Sequence, residues 1–278
     1  LPAWRPLFLH RGDAGDVVRR LGRTPLAAEP GARVLYSDLG YLLAGVLLAR
    51  AGGAPLDDLY TQHILAPCEP PAREPCFRPP PAWRSRLAPG EVGDEIHREL
   101  ASCHEAAVQA WPGWRAGVHL GEVHDLNAAA LGGVAGHAGL FGSAAGVAAL
   151  AAEFLPGSRL FTPAERAVFR YSRTSGQEED RAVGFRVAAR TWSLVPAACS
   201  PDSFGHTGFT GTLVLIDPAT AGVFVLLTNR LHPHPPAAGM AGLRRGFLAR
   251  AAALLERTAG EAGKGPGDGR GGGRSALQ

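Results

Sequence analysis

Phe204-Gly205-His206-Thr207-Gly208-Phe209-Thr210-Gly211-Thr212 runs directly into Leu213-Val214-Leu215-Ile216 and then Asp217-Pro218-Ala219-Thr220. The apolar run reads as a β-strand, Asp-Pro-Ala-Thr as a turn, and Val223 to Leu227 as the returning strand of a hairpin. The preceding stretch reads as the glycine-rich entry to that hairpin. Gly205, Gly208 and Gly211 leave the entry without bulk, so another backbone or a ligand can approach closely. A polar His-Thr-Gly there is a candidate binding edge. A glycine-softened strand with a surface histidine is the plainer alternative.

Upstream, Pro30-Gly31-Ala32-Arg33-Val34-Leu35-Tyr36-Ser37-Asp38-Leu39-Gly40-Tyr41 gives a second signal. Ser37 or Asp38 can cap a helix over Leu39 to Arg50, which carries apolar residues at helical spacing. Tyr36 and Asp38 then stand at a helix N-terminus, whose partial positive charge favours phenolate and carboxylate.

Together the two segments resemble the β-lactamase-related serine hydrolase family: class C β-lactamases, DD-peptidases and esterases. His206-Thr207-Gly208 is similar to its Lys-Thr-Gly element, and Tyr36-Ser37-Asp38 to its Tyr-x-Asn element. Histidine for lysine and aspartate for asparagine are departures. Four further stretches resemble the family: Leu1-Pro2-Ala3-Trp4, Leu21 to Leu26 followed by Pro30-Gly31, the loop Gly132 to Ser143, and Leu226-Leu227-Thr228-Asn229-Arg230. The resemblance runs from Leu1 to about Glu256. Helices mid-chain and antiparallel strands late in the chain indicate an α+β fold. The resemblance implies an antiparallel sheet flanked by helices, a helical subdomain beside it, and the site in the groove between. The expected organisation is one domain over 1–256 and a flexible glycine-rich tail over 257–278.

In the resembled family the nucleophile lies in Ser-x-x-Lys, the lysine one helical turn after the serine. The one lysine here is Lys264, and Glu261 stands three residues before it. No Ser-x-x-Lys occurs. The sequence begins at Leu1, and its one methionine is Met240. The expectation is a chain whose first strands and nucleophile helix lie outside it; the rival is a shortened protein that has lost its chemistry. Without those strands the chain would leave a sheet edge and an apolar face exposed.

By resemblance, Tyr36 is the proton-transfer residue, taking the serine proton and passing it to the leaving group. A free tyrosine titrates near ~10, so it needs positive charge nearby; the family's lysine would supply it, with help from His206. Asp38 orients this network or meets substrate. His206, compact and neutral above pH ~6.5, is a weaker carboxylate holder than lysine, which favours ester or amide substrates over β-lactams. Thr207 and Gly208 keep the edge open. The backbone N–H of Phe209 is the second oxyanion donor, and its ring walls the pocket. His137, in the glycine loop, faces the groove or is satisfied by backbone. Arg230 meets an anionic substrate or is a plain surface arginine.

His119 and His124, with Glu122 and Asp125, form a histidine-rich stretch. Their spacing does not put both imidazoles on one helix face, so no metal is assigned and no organic cofactor is implied. His232 and His234 lie in a proline-stiffened surface loop.

The chain of 278 residues is long enough to bury a large core as one elaborate domain or two intimate subdomains. Its formal charge is +3, from 28 basic and 25 acidic residues. Nearly all the basic residues are arginine, spread along the chain without interleaved aromatics, which excludes a nucleic-acid reader. No apolar run reaches membrane-spanning length. Cys68, Cys76, Cys103 and Cys199 read as free thiols; Cys68 and Cys76 can pair only in an oxidising compartment, and their spacing matches no zinc site.

Helices are also expected around Asp13 to Leu21, over Pro55 to Leu65, Asp94 to Ala110, Ala144 to Phe154 after the cap Ser143, Pro163 to about Arg170 after the cap Thr162, and Ala237 to Arg257. Seven prolines between Pro67 and Pro81 exclude regular structure there. Glu178-Glu179-Asp180 reads as an exposed acidic turn, and Val183 to Val195 as a strand or bent strand pair. The leading reading is the larger part of a serine hydrolase that acts on ester, amide or peptide substrates through an acyl-enzyme. The alternative is a non-catalytic binding protein of the same fold. Compartment and oligomeric state are not encoded in these features.

Overall fold

The computed structural model describes residues 1–9, 14–104, 106–188, 192–234 and 239–262. The glycine-rich tail lies almost wholly outside these, and the start expected for the first helix, Asp13, lies outside them too.

Helix α1 (Ala14–Arg23) packs on α2 (Asp38–Gly52), which carries Tyr36 at its entrance. Ser37 caps α2 by accepting a hydrogen bond from the Gly40 amide, and Gly53 ends it in the left-handed conformation (φ 66°). Leu39, Leu42 and Val46 bury one stripe of α2 against Val17 and Leu21 of α1. The expected second helix forms as α3 (Leu56–Tyr60) and a π-helical turn, Thr61–Leu65.

The proline-rich stretch is less irregular than expected. It contains a two-residue strand, β1 (Cys76–Phe77). Helix α4 (Glu95–Ser102) replaces the front half of the longer helix expected to Ala110, which continues only as a 3-10 turn, Ala106–Ala110. Ser102 Oγ and Cys103 Sγ bond back to the carbonyls of Arg98 and Glu99, and the His104 amide tightens onto Ala101. Local back-bonding of this kind competes with helix propagation. After α5 (Leu126–Ala130), strand β2 (Leu140–Phe141) pairs with β1.

Ser143 caps α6 (Ala144–Ala152), and a capping box between Thr162 and Glu165 opens α7 (Pro163–Arg170) with proline in its first turn. The main sheet follows, in the antiparallel order β3 (Arg186–Val187), β4 (Phe204–Thr207), β5 (Leu213–Asp217), β6 (Gly222–Leu226). Two expectations change here. Phe204 to Thr207 is a strand in its own right, joined to β5 by the tight turn Gly208 to Gly211, rather than the entry to β5. Gly211, at φ 104°, permits that turn. Of the strand expected over Val183 to Val195, Arg186–Val187 alone forms one among the described residues, 189–191 lying outside them; Trp192 and Leu194 fill the core.

The sheet lies between two helices. Leu213, Leu215 and Phe224 face α8 (Ala241–Ala262), packing on Leu248 and Ala252. Ile216 and Phe204 face the other way, onto Ala151 of α6 and Leu155. Both faces of β5 are buried, which explains its continuous apolar run. Among the described residues the open apolar face expected from the sequence is therefore not found around β5; β6 ends the sheet, and exposed leucines include Leu47, Leu48 and Leu243 on helices and Leu140 on β2. Among the described residues no single helix is long and apolar enough to cross a membrane.

Candidate functional site

Three elements bring the sequence-predicted residues together. Helix α2 carries Asp38 in its first turn, with Tyr36 just outside it. Strand β4 carries His206 and Thr207, and its pairing with β3 stops at Gly205; among the described residues, the half of β4 that bears His206 therefore keeps an open edge. The glycine loop carries His137. That loop crosses α2 almost in backbone contact, since a Cβ on Gly136 would stand 2.2 Å from the Tyr41 carbonyl oxygen and one on Gly45 would stand 2.7 Å from the Gly136 nitrogen.

Tyr36 donates its hydroxyl hydrogen to Asp38 Oδ1 at 2.6 Å. Its ring stacks on His206, with centroids 6.0 Å apart and planes 23° apart. Arg181 sits over the same ring at 6.0 Å, and its Nη1 lies 3.4 Å from His206 Nε2. The sequence reading missed Arg181; its guanidinium occupies the place where positive charge was expected. Glu179 holds it with Oε2 2.5 Å from Nη2 and also pairs with Arg186. The acidic turn is only in part the exposed feature expected: Glu178 is exposed, but Asp180 is buried and Glu179 positions Arg181.

The electrostatics correct another expectation. Burial pushes the Tyr36 phenol well above its usual range, and the Asp38 hydrogen bond and charge push it further, against Arg181. In this arrangement Tyr36 is a neutral hydrogen-bond donor, not the phenolate expected at a helix N-terminus. Burial and the Arg181 charge hold the His206 imidazole below its ordinary value, although its Nδ1 lies 2.8 Å from the Thr207 carbonyl oxygen. His206 is therefore uncharged at neutral pH.

Phe209 occupies the turn between β4 and β5. Its ring is half exposed and stacks on His124 at 5.8 Å. Its backbone N–H has no hydrogen-bond partner among the described residues, as an oxyanion donor requires. A Cβ on Gly208 would stand 2.1 Å from Thr212 Oγ1, so a larger residue there would have to turn the Thr212 hydroxyl away. Arg230 lies against the same turn: its Nε donates to the Phe209 carbonyl at 2.6 Å and its guanidinium lies 4.7 Å over the Phe209 ring. Arg244, unremarked in the sequence, donates from Nη2 to the carbonyls of Gly208 and Thr212 at 2.7 and 3.1 Å.

Behind the groove lies a buried cluster that the sequence only hinted at. His137 Nε2 meets Asp125 Oδ1 at 2.9 Å. Burial works against a charged His137, but Asp125 and then Asp38 outweigh it and raise its pKa; the hydrogen bonds and charges of His137 and His97 hold the Asp125 carboxyl far below its usual range despite burial. Asp94 is fully buried and takes Arg115 Nη2 at 2.7 Å on Oδ1 and the Arg115 amide at 2.7 Å on Oδ2. His124 Nε2 lies 2.6 Å from Glu91 Oε2. Of the four residues grouped by the sequence, Glu122 is exposed and reaches the cluster only at its rim, 3.9 Å from Arg115 Nη1, while His119 turns to Asp94 at 3.5 Å. Glu91, Asp94, His97 and Arg115 carried no sequence signal, because their partners are brought together only by folding. All four cysteines are free.

Comparison with known proteins bears on the fold and the family. The family described as Beta-lactamase matches residues 1–249. Proteins from Escherichia coli O157:H7 and K12, whose names propose a D-alanyl-D-alanine carboxypeptidase, are 32% identical over 240 residues, covering 83% of this chain and 52% of theirs. The chain thus spans about half the length of these curated relatives. Among solved structures, a β-lactamase/D-alanine carboxypeptidase from Yersinia pestis complexed with citrate superposes with TM-score 0.58 at 20% identity, covering 92% of this chain and 66% of that one. EstA from Arthrobacter nitroguajacolicus Rue61a gives 0.55 at 21% identity, covering 92% and 67%. These two share the fold. With the family match spanning nearly the whole described chain, from the strand that carries His206-Thr207-Gly208 back to the helix behind Tyr36, this chain belongs to the β-lactamase family.

Proposed function

We propose that this chain supplies the substrate groove and the proton-transfer side of a serine hydrolase that cleaves ester or amide bonds through an acyl-enzyme. The observation that carries the reading is the packing of His206 and Arg181 against the Tyr36 ring, with His206 on the strand that runs into the turn bearing the unpaired Phe209 N–H. Tyr36 passes the proton between nucleophile and leaving group, with Asp38 as its relay partner. Phe209 N–H holds the developing oxyanion, while Thr207, Gly208 and His137 border the substrate. Arg230 holds the Phe209 turn through its carbonyl and is the nearest candidate for a substrate anion. The neutral His206 favours uncharged esters and amides over substrates with a carboxylate beside the scissile bond. The names of the E. coli relatives suit a small peptide instead, whose terminal carboxylate would fall to Arg230 rather than to the neutral His206.

No Ser-x-x-Lys occurs in these 278 residues. On this reading the nucleophile is contributed by polypeptide outside them. Intact-mass spectrometry after exposure to an active-site phosphonate or a β-lactam tests this. The chain alone is expected to stay unlabelled, and the chain joined to its Ser-x-x-Lys segment to gain one adduct. Stoichiometric labelling of the chain alone would overturn the assignment and identify another nucleophile.

One observation favours a second reading, a non-catalytic binding protein of the same fold. Tyr36 is hydrogen-bonded to a carboxylate and held neutral, which suits a ligand contact as well as a proton relay. Failure of the Ser-x-x-Lys-bearing protein to form any adduct, with retained ligand affinity, would select it.

A further inference from the structure

In the buried cluster behind Phe209 several imidazole nitrogens have no hydrogen-bond partner: His97 Nδ1, both nitrogens of His119, and His137 Nδ1. Glu91 is fully buried; it accepts from the Ile96 amide at 3.0 Å and faces His124. The nearby guanidinium, Arg115, is committed to Asp94 and to the carbonyls of Val123 and His124. His97 is 3% exposed, and its Nδ1 has no hydrogen-bond partner. Its Nε2 faces Asp125 at 3.8 Å and the Leu126 amide at 3.4 Å. An orphaned buried nitrogen such as His97 Nδ1 is costly unless a ligand meets it.

One ligand atom from each of Glu91, His97 and His124 lies within 4.8 Å of the other two. Imidazole and carboxylate are ligands for zinc-like divalent ions, with bonds of roughly 2.0–2.2 Å, so a set of this spread can close on one ion through small side-chain adjustments. The imidazole of His97 also has a carboxylate close by, the arrangement that orients ligand histidines at metal centres. His124 is the least enclosed of the three, with 11% of its side chain exposed, and provides the approach.

We infer that Glu91, His97 and His124 form a binding site for one divalent transition-metal cation of the zinc class, with solvent completing the coordination. The ion ties the segment before α4, α4 itself and the residue before Asp125 into one unit. That unit backs the groove, because the His124 ring stacks on Phe209 and Asp125 holds His137. The role assigned to the ion is structural, and no reaction step passes through it.

The test uses the full chain, stripped with a chelator and titrated with Zn²⁺ alone by calorimetry and with Co²⁺ by visible absorption. The expected result is one ion per chain, and for Co²⁺ the intense ligand-field bands of a four- or five-coordinate site without thiolate charge-transfer bands. Zn²⁺ at about a hundred times its Kd raises Tm by roughly 5–10 °C. His97→Gln and His124→Gln are each expected to weaken binding at least about a hundredfold, whereas the surface double substitution His63→Gln/His104→Gln leaves it unchanged. Should either cluster variant fail to fold, the wild-type titration still decides. No one-equivalent binding at millimolar cation overturns the inference. So do thiolate bands, or binding that survives both cluster substitutions and disappears in the surface variant.

Discussion

The groove and the cluster behind it use the same residue types in different surroundings. In the groove, Tyr36 and Phe209 are about half exposed, and a tyrosine, an aspartate, an arginine and a histidine meet through stacking and one short hydrogen bond. In the cluster, Glu91 and Asp94 are fully enclosed, and the histidines sit against carboxylates. The two regions touch at two points, the Phe209–His124 stack and the glycine loop that carries His137 from Asp125 to the back of α2. Burial makes the difference. Breaking a buried charge pair strands an ion in low dielectric, while a change in the wet groove alters chemistry and leaves the fold intact.

The sharpest way to break this comparison is at Asp94. Asp94→Ala strips Arg115 of its carboxylate and is expected to cost about 3–5 kcal/mol of stability, read as a fall in the urea midpoint at unchanged m. A loss below about 1 kcal/mol would make the cluster behave like the surface. The matching change in the groove is Tyr36→Phe. It removes one hydroxyl and keeps the ring, so Tm is expected to stay within a few degrees. In a protein that carries the nucleophile, turnover of a simple ester is expected to fall about a hundredfold, or ~2.7 kcal/mol of transition-state stabilisation. Turnover within about threefold of the parent would return Tyr36 to a packing role.

Gly136→Ala acts on the seam between the two regions. The added methyl would meet the Tyr41 carbonyl at 2.2 Å, so the loop and α2 must part. The expected cost is about 1–3 kcal/mol, with a larger loss of turnover than Tm alone would suggest, because His137 moves with the loop. An unchanged Tm and rate would show that the seam is looser than its geometry.

The smallest effect concerns His206. Its pKa in the folded state is depressed by burial and by Arg181, so the folded protein binds fewer protons than the unfolded chain. The contribution to stability is complete above the ordinary imidazole value, near ~6.5. It is lost as pH falls from there through the depressed folded value. His206→Gln should flatten that limb of the stability–pH curve. Affinity for a carboxylate ligand should rise only in the same acid range, and His206→Lys should extend it to neutral pH, since ammonium stays charged. Identical pH profiles for wild type and His206→Lys, measured as true dissociation constants, would remove His206 from the anion contacts.

Legibility in the sequence followed the range of each interaction. The caps Ser37 (one of two candidates, with Asp38) and Thr162, and the β5–β6 hairpin, were all readable, because each is completed within a few residues. The helix over Asp94 to Ala110 was read too long, because the back-bonds of Ser102 and Cys103 look harmless in a helical pattern. The strand at Phe204 to Thr207 was merged with β5, because its apolar content is low and its glycines look like an entry rather than a turn.

The sequence by itself determined the α+β class, the family motifs at Tyr36 and His206-Thr207-Gly208, and the caps that place them at element ends. Each depends on local backbone preference and on residue types at short spacing. Only the tertiary structure decided that Arg181 is the cation beside Tyr36, that Tyr36 is a neutral donor to Asp38, and that Glu91, His97 and His124 meet. The physical reason is that charge and protonation follow from burial and from partners far away in the chain. His206 and Arg181 are 25 residues apart, and Glu91 and His124 are 33 apart. Their encounter depends on how the sheet, α2 and the glycine loop pack.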